Sequence, residues 1–453
     1  MYIYACGARR RFLWVGLLSL TIFLSNPISV TGQGKGGSSY RLSLAEVIAF
    51  AKSQNKLVLA ANIGEELVAE DRKDAYHNAL PTVNASGSYQ RFSRLTLFTD
   101  GLAHSTTGAR KPGSISAALG VDALFSIYGG GKQRALEREQ DSRLNLARLN
   151  TREQSGNTAL QTASQYLDLI RLNELKKFIL DQLKRAQTRL SNINSFYKNQ
   201  KVTRSDVLRA EVAFSNVELA LEQNENDITI ANHKLNILMN VPDSVVISPA
   251  DSAGMRKPEI ASLLQLVEAG TQSSYTVQKA AETVERQKAK LRGIQSNNLP
   301  GLGLYAAYGL NYPNYLFFPP VDQAYSIGFV GLKMQYSISS IYHNKSKVAA
   351  GKMRVKELEL QQEAYSDQVR IEIRSYYIRY TEALRRISVN ERSVTQAQAN
   401  YRIVNTKYLN QLSLLTDLLD ADNLYQESRL NLVKAQTDAL AVYYQILYNT
   451  GNL

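Results

Sequence analysis

Asp417 and Asp420 stand three residues apart in a stretch with helical periodicity, so their carboxylates share one helix face. Read alone, the pair has a plain structural explanation: Asp417 caps a helix and Asp420 is solvated. Repeated around the axis of a tube, the same two residues would form rings of carboxylates. Such rings hold a negative potential, attract cations and repel anions. Asp422 points elsewhere on the helix and is left out of the pair. Other chemistry is absent from the pattern. His77, His104, His233 and His343 are scattered without metal-ligand spacing. Gly131-Lys132 is followed by Gln133, so it is no phosphate loop, and Gly32, Gly34 and Gly37 match a dinucleotide fingerprint without a preceding strand. There is no nucleophile elbow and no Cys/His pairing, so neither an enzyme nor a bound cofactor is expected.

The stretch that carries Asp417 occurs twice. Tyr197-Lys198-Asn199-Gln200 leads to Ser205-Asp206-Val207-Leu208-Arg209-Ala210. Tyr408-Leu409-Asn410-Gln411 leads to Thr416-Asp417-Leu418-Leu419-Asp420-Ala421, 211 residues later. Each copy follows one long helical segment and precedes another. A polar break, Ser/Thr-Asp, then a resumed apolar period is how a chain turns and restarts a helix. Both copies therefore read as tips of long helical hairpins.

The elements around the tips repeat as well. Arg9-Arg10-Arg11, the apolar run Phe12–Leu24 and the small residues before Gly32 read as a secretory signal peptide over 1–32. Cys6, the one cysteine, precedes the apolar run, so neither a lipid anchor nor a disulfide is expected in the mature chain. The first repeat spans 33–240. It has a flexible lead, a helix from Ser43 to about Asn78, strands at about 82–98 and 114–128, and a glycine triplet at Gly129-Gly130-Gly131. A long helix to about Phe196, the tip at about 197–206 and a return helix complete it. A linker over 241–258 carries Pro242, Pro249, Gly254 and Pro258. The second repeat, 259–453, has a helix to about Asn297, strands at about 300–311 and 325–339, an aromatic loop at 312–320, a long helix and the tip at about 408–417. In the fourth strand Tyr325, Ile327 and Phe329 fall out of phase with Val330, Leu332 and Met334, which suggests a bulge.

Ile115, Ala117, Leu119, Val121, Ala123, Phe125 and Ile127 alternate with mostly small or polar residues, the period of a membrane barrel strand. No apolar run reaches the ~20 residues of a membrane helix, so any crossing must use strands. Four strands cannot enclose a lumen, since the smallest membrane barrels have about eight. Three copies would supply 12 strands around one axis. The helices agree, because a short helix and a return helix laid end to end match one long helix of about 100 Å. The formal charge of +13 is spread along helices among acids, so it reads as solvated faces and not as a nucleic-acid surface.

In this order, the Leu80-Pro81 and Leu299-Pro300 strand entries, the Tyr128-Gly129-Gly130-Gly131 exit and the doubled tip resemble the TolC-like outer-membrane efflux proteins over most of residues 40–450. The resemblance implies a mainly α fold with a small membrane β-barrel contribution: a trimer with a 12-strand barrel continued by a 12-helix periplasmic barrel. It implies an exit duct in the outer membrane lipid, docked by a periplasmic adaptor protein and an inner-membrane transporter. Asp417 and Asp420 would line the periplasmic entrance. Asp206 would accept a bond from Tyr408 that ties neighbouring hairpins shut. Ser413 stands where that pattern has an arginine, and Arg204 is the substitute considered for it. The competing expectation is a periplasmic coiled-coil scaffold whose strands form a small soluble domain.

Overall fold

The computed structural model describes residues 39–93, 98, 101–102, 114–252, 258–314, 316 and 321–453. The expected signal peptide lies outside them, as do Tyr315, Phe317 and Phe318 of the aromatic loop.

Strand β1 (Ser39–Leu42) opens the described chain, overlapping the end of the stretch expected to be a flexible lead. Helix α1 (Leu44–Gln54) follows, started by a reciprocal capping box between Ser43 and Glu46. The single helix expected from Ser43 to Asn78 is two, because α2 (Lys56–His77) restarts at Asn55. The Asn55 side chain accepts from Leu57 N at 2.9 Å and donates to Leu238 O at 2.9 Å, so the break leaves its polar atoms bonded. Strands β2 (Thr82–Arg91) and β3 (Ile115–Gly129) come next. Gly130, at φ +64°, turns the chain where a Cβ would stand 2.6 Å from Ser296 O, so no other residue fits that corner.

Helix α3 (Lys132–Lys198) is 67 residues long, about 100 Å. After the first tip, α4 (Arg204–Met239) runs back, capped by Thr203 and not started at Ser205 as the pattern suggested. The linker holds strand β4 (Val246–Pro249), which pairs in parallel with β1, Tyr40 opposite Ile247. The second repeat follows the same plan with α5 (Leu263–Ser273), α6 (Tyr275–Ser296), β5 (Gly301–Tyr312), β6 (Tyr325–Gln335), the short α7 (Ser340–His343), α8 (Lys345–Leu409) and α9 (Leu415–Asn449).

Four buried clusters hold the helices among the described residues; two lie along the second repeat, around Tyr380, Ile387 and Ile446 and around Val277, Val369 and Ile373, and the other two bear on the site. One lies around the β1–β4 pair, where Leu44, Val47, Tyr166, Ile170, Leu235 and Ile247 meet. There the Tyr166 hydroxyl donates to Leu42 O at 2.7 Å, and the Asp251 carboxylate accepts from Leu44 N at 2.7 Å. The other closes the tip end, with Ile193, Val207, Ala210, Tyr408, Leu415 and Leu418. Burying a side chain such as Ile193 stabilises by about 2 kcal/mol.

Strands β2, β3, β5 and β6 form one antiparallel sheet in that order. Val121 lies opposite Tyr308, Leu304 opposite Leu332 and Ala306 opposite Val330, so one face is apolar. Asn84 lies opposite Asp122, and Gly303 opposite Lys333, on the other face. β6 runs without a register shift, which corrects the expected bulge: Tyr325, Ile327 and Phe329 sit on the polar face, and Tyr305 packs edge-on to Phe329 at 5.7 Å. The irregularity falls between β3 and β5, at Ser126 and Tyr128. Every residue of β2 is exposed, as are Val121, Tyr308, Val330, Leu332 and Met334.

Candidate functional site

The tip residues are set by helix starts. In the first tip Gln200 takes a positive φ of 57°, α3 ends and Thr203 caps α4. The Asp206 carboxylate accepts from Thr203 N at 3.0 Å and from its hydroxyl at 2.7 Å, while Thr203 Oγ1 accepts from Asp206 N at 3.3 Å. In the second tip Gln411 repeats the positive φ, 62°, and Asp417 accepts from Leu414 N at 3.1 Å. Both aspartates are thus occupied in their own helix starts. Asp417 and Asp420 are exposed at the start of α9.

Tyr408, at the end of α8, is buried in the tip cluster, and its hydroxyl has no hydrogen-bond partner among the described residues. Burial first, then the nearby Asp206 carboxylate, pushes its phenol above the ordinary value, so it stays a neutral donor. Tyr408 and Asp206 line one small cavity together with Ser413, whose hydroxyl is also unpartnered. Arg204 is exposed at the first position of α4 and does not line that cavity.

The strongest electrostatic feature of this end is Asp422, the aspartate that periodicity set aside. It is 1% exposed on α9. Arg189 Nη2 donates to its Oδ2 at 2.6 Å, and Arg185 Nε to its Oδ1 at 3.1 Å. Arg185 Nη2 lies 3.0 Å from the same Oδ1, close enough for attraction but poorly angled for a second hydrogen bond. Arg185 and Arg429 also converge on Asp181, at 2.7 and 2.9 Å. Arg429 lies over the Phe178 ring at 3.9 Å, and Tyr401 stacks on Tyr425 beside Arg185. Burial opposes the charge on Arg185, but Asp422 and Asp181 outweigh it and raise its pKa further. This node joins α3 of the first hairpin to α9 of the second.

A sequence signal for the node exists. Leu415, Leu418 and Asp422 fall at i, i+3 and i+7, as do Ala186, Arg189 and Ile193, and all six are buried. A charge on each of two apolar stripes marks a buried pair that binary patterning alone reads as solvated. Among the described residues no group of His, Cys, Asp and Glu could hold a metal ion, and no helix is long and apolar enough to cross a membrane.

No known family profile matches the chain. It is 21% identical over 444 residues to the outer membrane efflux protein BepC of Brucella suis biovar 1 (strain 1330), covering 96% of this chain and 90% of that protein. Solved structures with the same fold include the outer-membrane channel OprN, with a TM-score of 0.76, 15% identity and 90% of each chain covered. The open state of the Neisseria gonorrhoeae MtrE outer membrane channel aligns with a TM-score of 0.72 at 16% identity, covering 90% of this chain and 88% of that one.

Proposed function

We propose that this chain, whose fold is that of the TolC-like outer-membrane factors, is the outer-membrane exit duct of a tripartite efflux or type I secretion system. It is a passive channel for substrates delivered by an inner-membrane pump and a periplasmic adaptor. The observation that carries this reading is the sheet. Its outer strands β2 and β6 each have one unpaired edge, one face is apolar, and large apolar side chains on it are exposed. A soluble scaffold domain would bury one sheet face, and free edges invite pairing with another chain. Three copies joined β2 to β6 give 12 strands, enough to close a barrel with lipid outside and water inside. The helices ask for the same neighbours. On α8, Met353, Leu360, Ile371 and Ile378 are exposed, Ile371 to 64%, a stripe that adjacent copies would cover.

Within that trimer, Asp417 and Asp420 form the acidic rings of the periplasmic entrance, and Asp206, Tyr408 and Arg204 are the contacts that hold it shut. The unpartnered Tyr408 hydroxyl, sharing a cavity with Asp206, supports this assignment. The decisive experiment is extraction followed by native mass measurement and planar-bilayer recording. A duct needs detergent, runs as three chains and conducts. A single chain released with the soluble periplasm, or a trimer that never conducts, would end the reading.

A further inference from the structure

The structure points to a second ligand site at the tip end: we infer that the cavity between α3 and α8 binds a small oxyanion of phosphate or sulfate size. The cavity holds about 390 Å³ and is walled by Lys184, Arg185, Thr188 and Arg189 from α3 and by Asn405 and Tyr408 from α8. The charge count is the first argument. Arg185 and Arg189 on the wall and Arg429 beside it share two carboxylates, Asp181 and Asp422, which leaves one positive charge over, and the exposed Lys184 adds another at the rim. Asp422 is shared by two guanidinium groups, and Asp181 by Arg185 and Arg429. An excess of positive charge held partly out of water favours a counter-anion. Asp181 is the one carboxylate among the described lining residues; Asp422 lies behind the guanidinium groups, and Asp206 stands near Tyr408 outside the cavity.

The donors are the second argument, independent of the charge. Tyr408 is 7% exposed, lines the cavity and has a hydroxyl with no acceptor. Asn405 brings a further amide to the same walls, while the Thr188 hydroxyl there already donates to Lys184 O at 2.9 Å. Guanidinium, ammonium and hydroxyl donors arranged around one space are what an oxyanion recognises, through charge-assisted hydrogen bonds. The site therefore takes a tetrahedral oxyanion in preference to chloride, which accepts fewer directed bonds. An anion here links the first hairpin to the second. It also competes for the one Tyr408 proton with Asp206, so occupancy of this site and the Asp206–Tyr408 contact exclude each other.

The test is isothermal titration of the detergent-purified full chain with sodium phosphate at constant ionic strength, repeated with sodium chloride. Saturable binding of one phosphate per chain is expected, and none of chloride. Lys184→Gln and Asn405→Leu are each expected to weaken it by about tenfold, or about 1.4 kcal/mol. Lys184 is exposed and carries none of the buried ion pairs, so its variant keeps the fold; unfolding by circular dichroism checks this. Selenate soaked into crystals of the full chain gives a second readout, an anomalous peak between Lys184 and Tyr408. Absence of saturable phosphate binding to folded wild type, or binding that neither variant alters, overturns the site. Neither result depends on whether the protein conducts.

Discussion

The two hairpin tips are copies of one sequence, yet they are built to different strengths. At the first, Thr203 and Asp206 satisfy each other's backbone N–H groups, and the Thr203 hydroxyl adds a third bond. At the second, Leu414 takes the capping position and has no polar side chain, so only Asp417 acts, on Leu414 N. A full box outweighs a half box by about 1 kcal/mol. The second tip is the weaker start, and beside the apolar tip cluster what ties its hairpin to the first is not the cap but Asp422, about two turns into α9. One hairpin is fixed at its end, and the other is tied from its side.

The largest effect expected from this contrast is at that tie. Asp422→Ala leaves Arg185 and Arg189 charged and buried without their shared carboxylate, a loss of about 3–5 kcal/mol. Thermal unfolding of the detergent-purified chain measures it, and hydrogen exchange should show the start of α9 opening while α4 stays protected. Equal opening of both hairpins would mean that the tie is not specific to the second. Next in size is conductance. Asp206→Ala and Tyr408→Phe should each raise the single-channel conductance in planar bilayers, the alanine more, because it also removes the first cap. If both leave conductance unchanged, these residues do not hold the mouth.

Smaller still are the caps themselves. Thr203→Ala should weaken the first turn of α4 by about 1 kcal/mol, and Leu414→Thr should strengthen that of α9 by a similar amount. Hydrogen exchange in the two first turns reads both. Were the difference between the tips to survive the double exchange, it would originate elsewhere than in the caps.

How much of this was legible in the sequence follows from the range of the forces involved. The doubled tip, the long helices and the strand alternation are local patterns, and the fold rests on them. The helix break at Asn55 is not legible in the local pattern. Asn is a moderate helix residue, and it ends a helix here because Leu238, far along the chain, accepts its amide proton. The β1–β4 pair was missed for the same reason, since each strand has four residues and gains meaning only from the other. At the site, the exposed Asp417 and Asp420 follow from spacing, whereas Asp422 is chosen by two arginines more than 230 positions away in sequence. The out-of-phase start of β6 suggests a bulge because alternation cannot tell a shifted register from apolar residues carried on both faces. Register places Phe329 and Ile327 on the polar side instead.

The smallest expected effect concerns pH and the outer part of the tie. Burial pushes the Asp181 carboxyl up, but the hydrogen bonds from Arg429 and Arg185 outweigh it and hold its pKa below the ordinary 3.8. A carboxylate with a depressed folded pKa contributes stability that is present above its unfolded value and lost as pH falls through the folded one. The difference between wild type and Asp181→Asn should therefore be constant near neutral pH and shrink as the solution is taken below about pH 4. Because Asp181 is half exposed, solvent screens it, and the effect is far smaller than that of Asp422. It should appear in the exchange of α9 and not of α4, because among the described residues the ion pairs of this node join α3 to α9. A difference that holds unchanged down to pH 3 would show that Asp181 supports the hairpin through packing, and that Asp422 ties it alone.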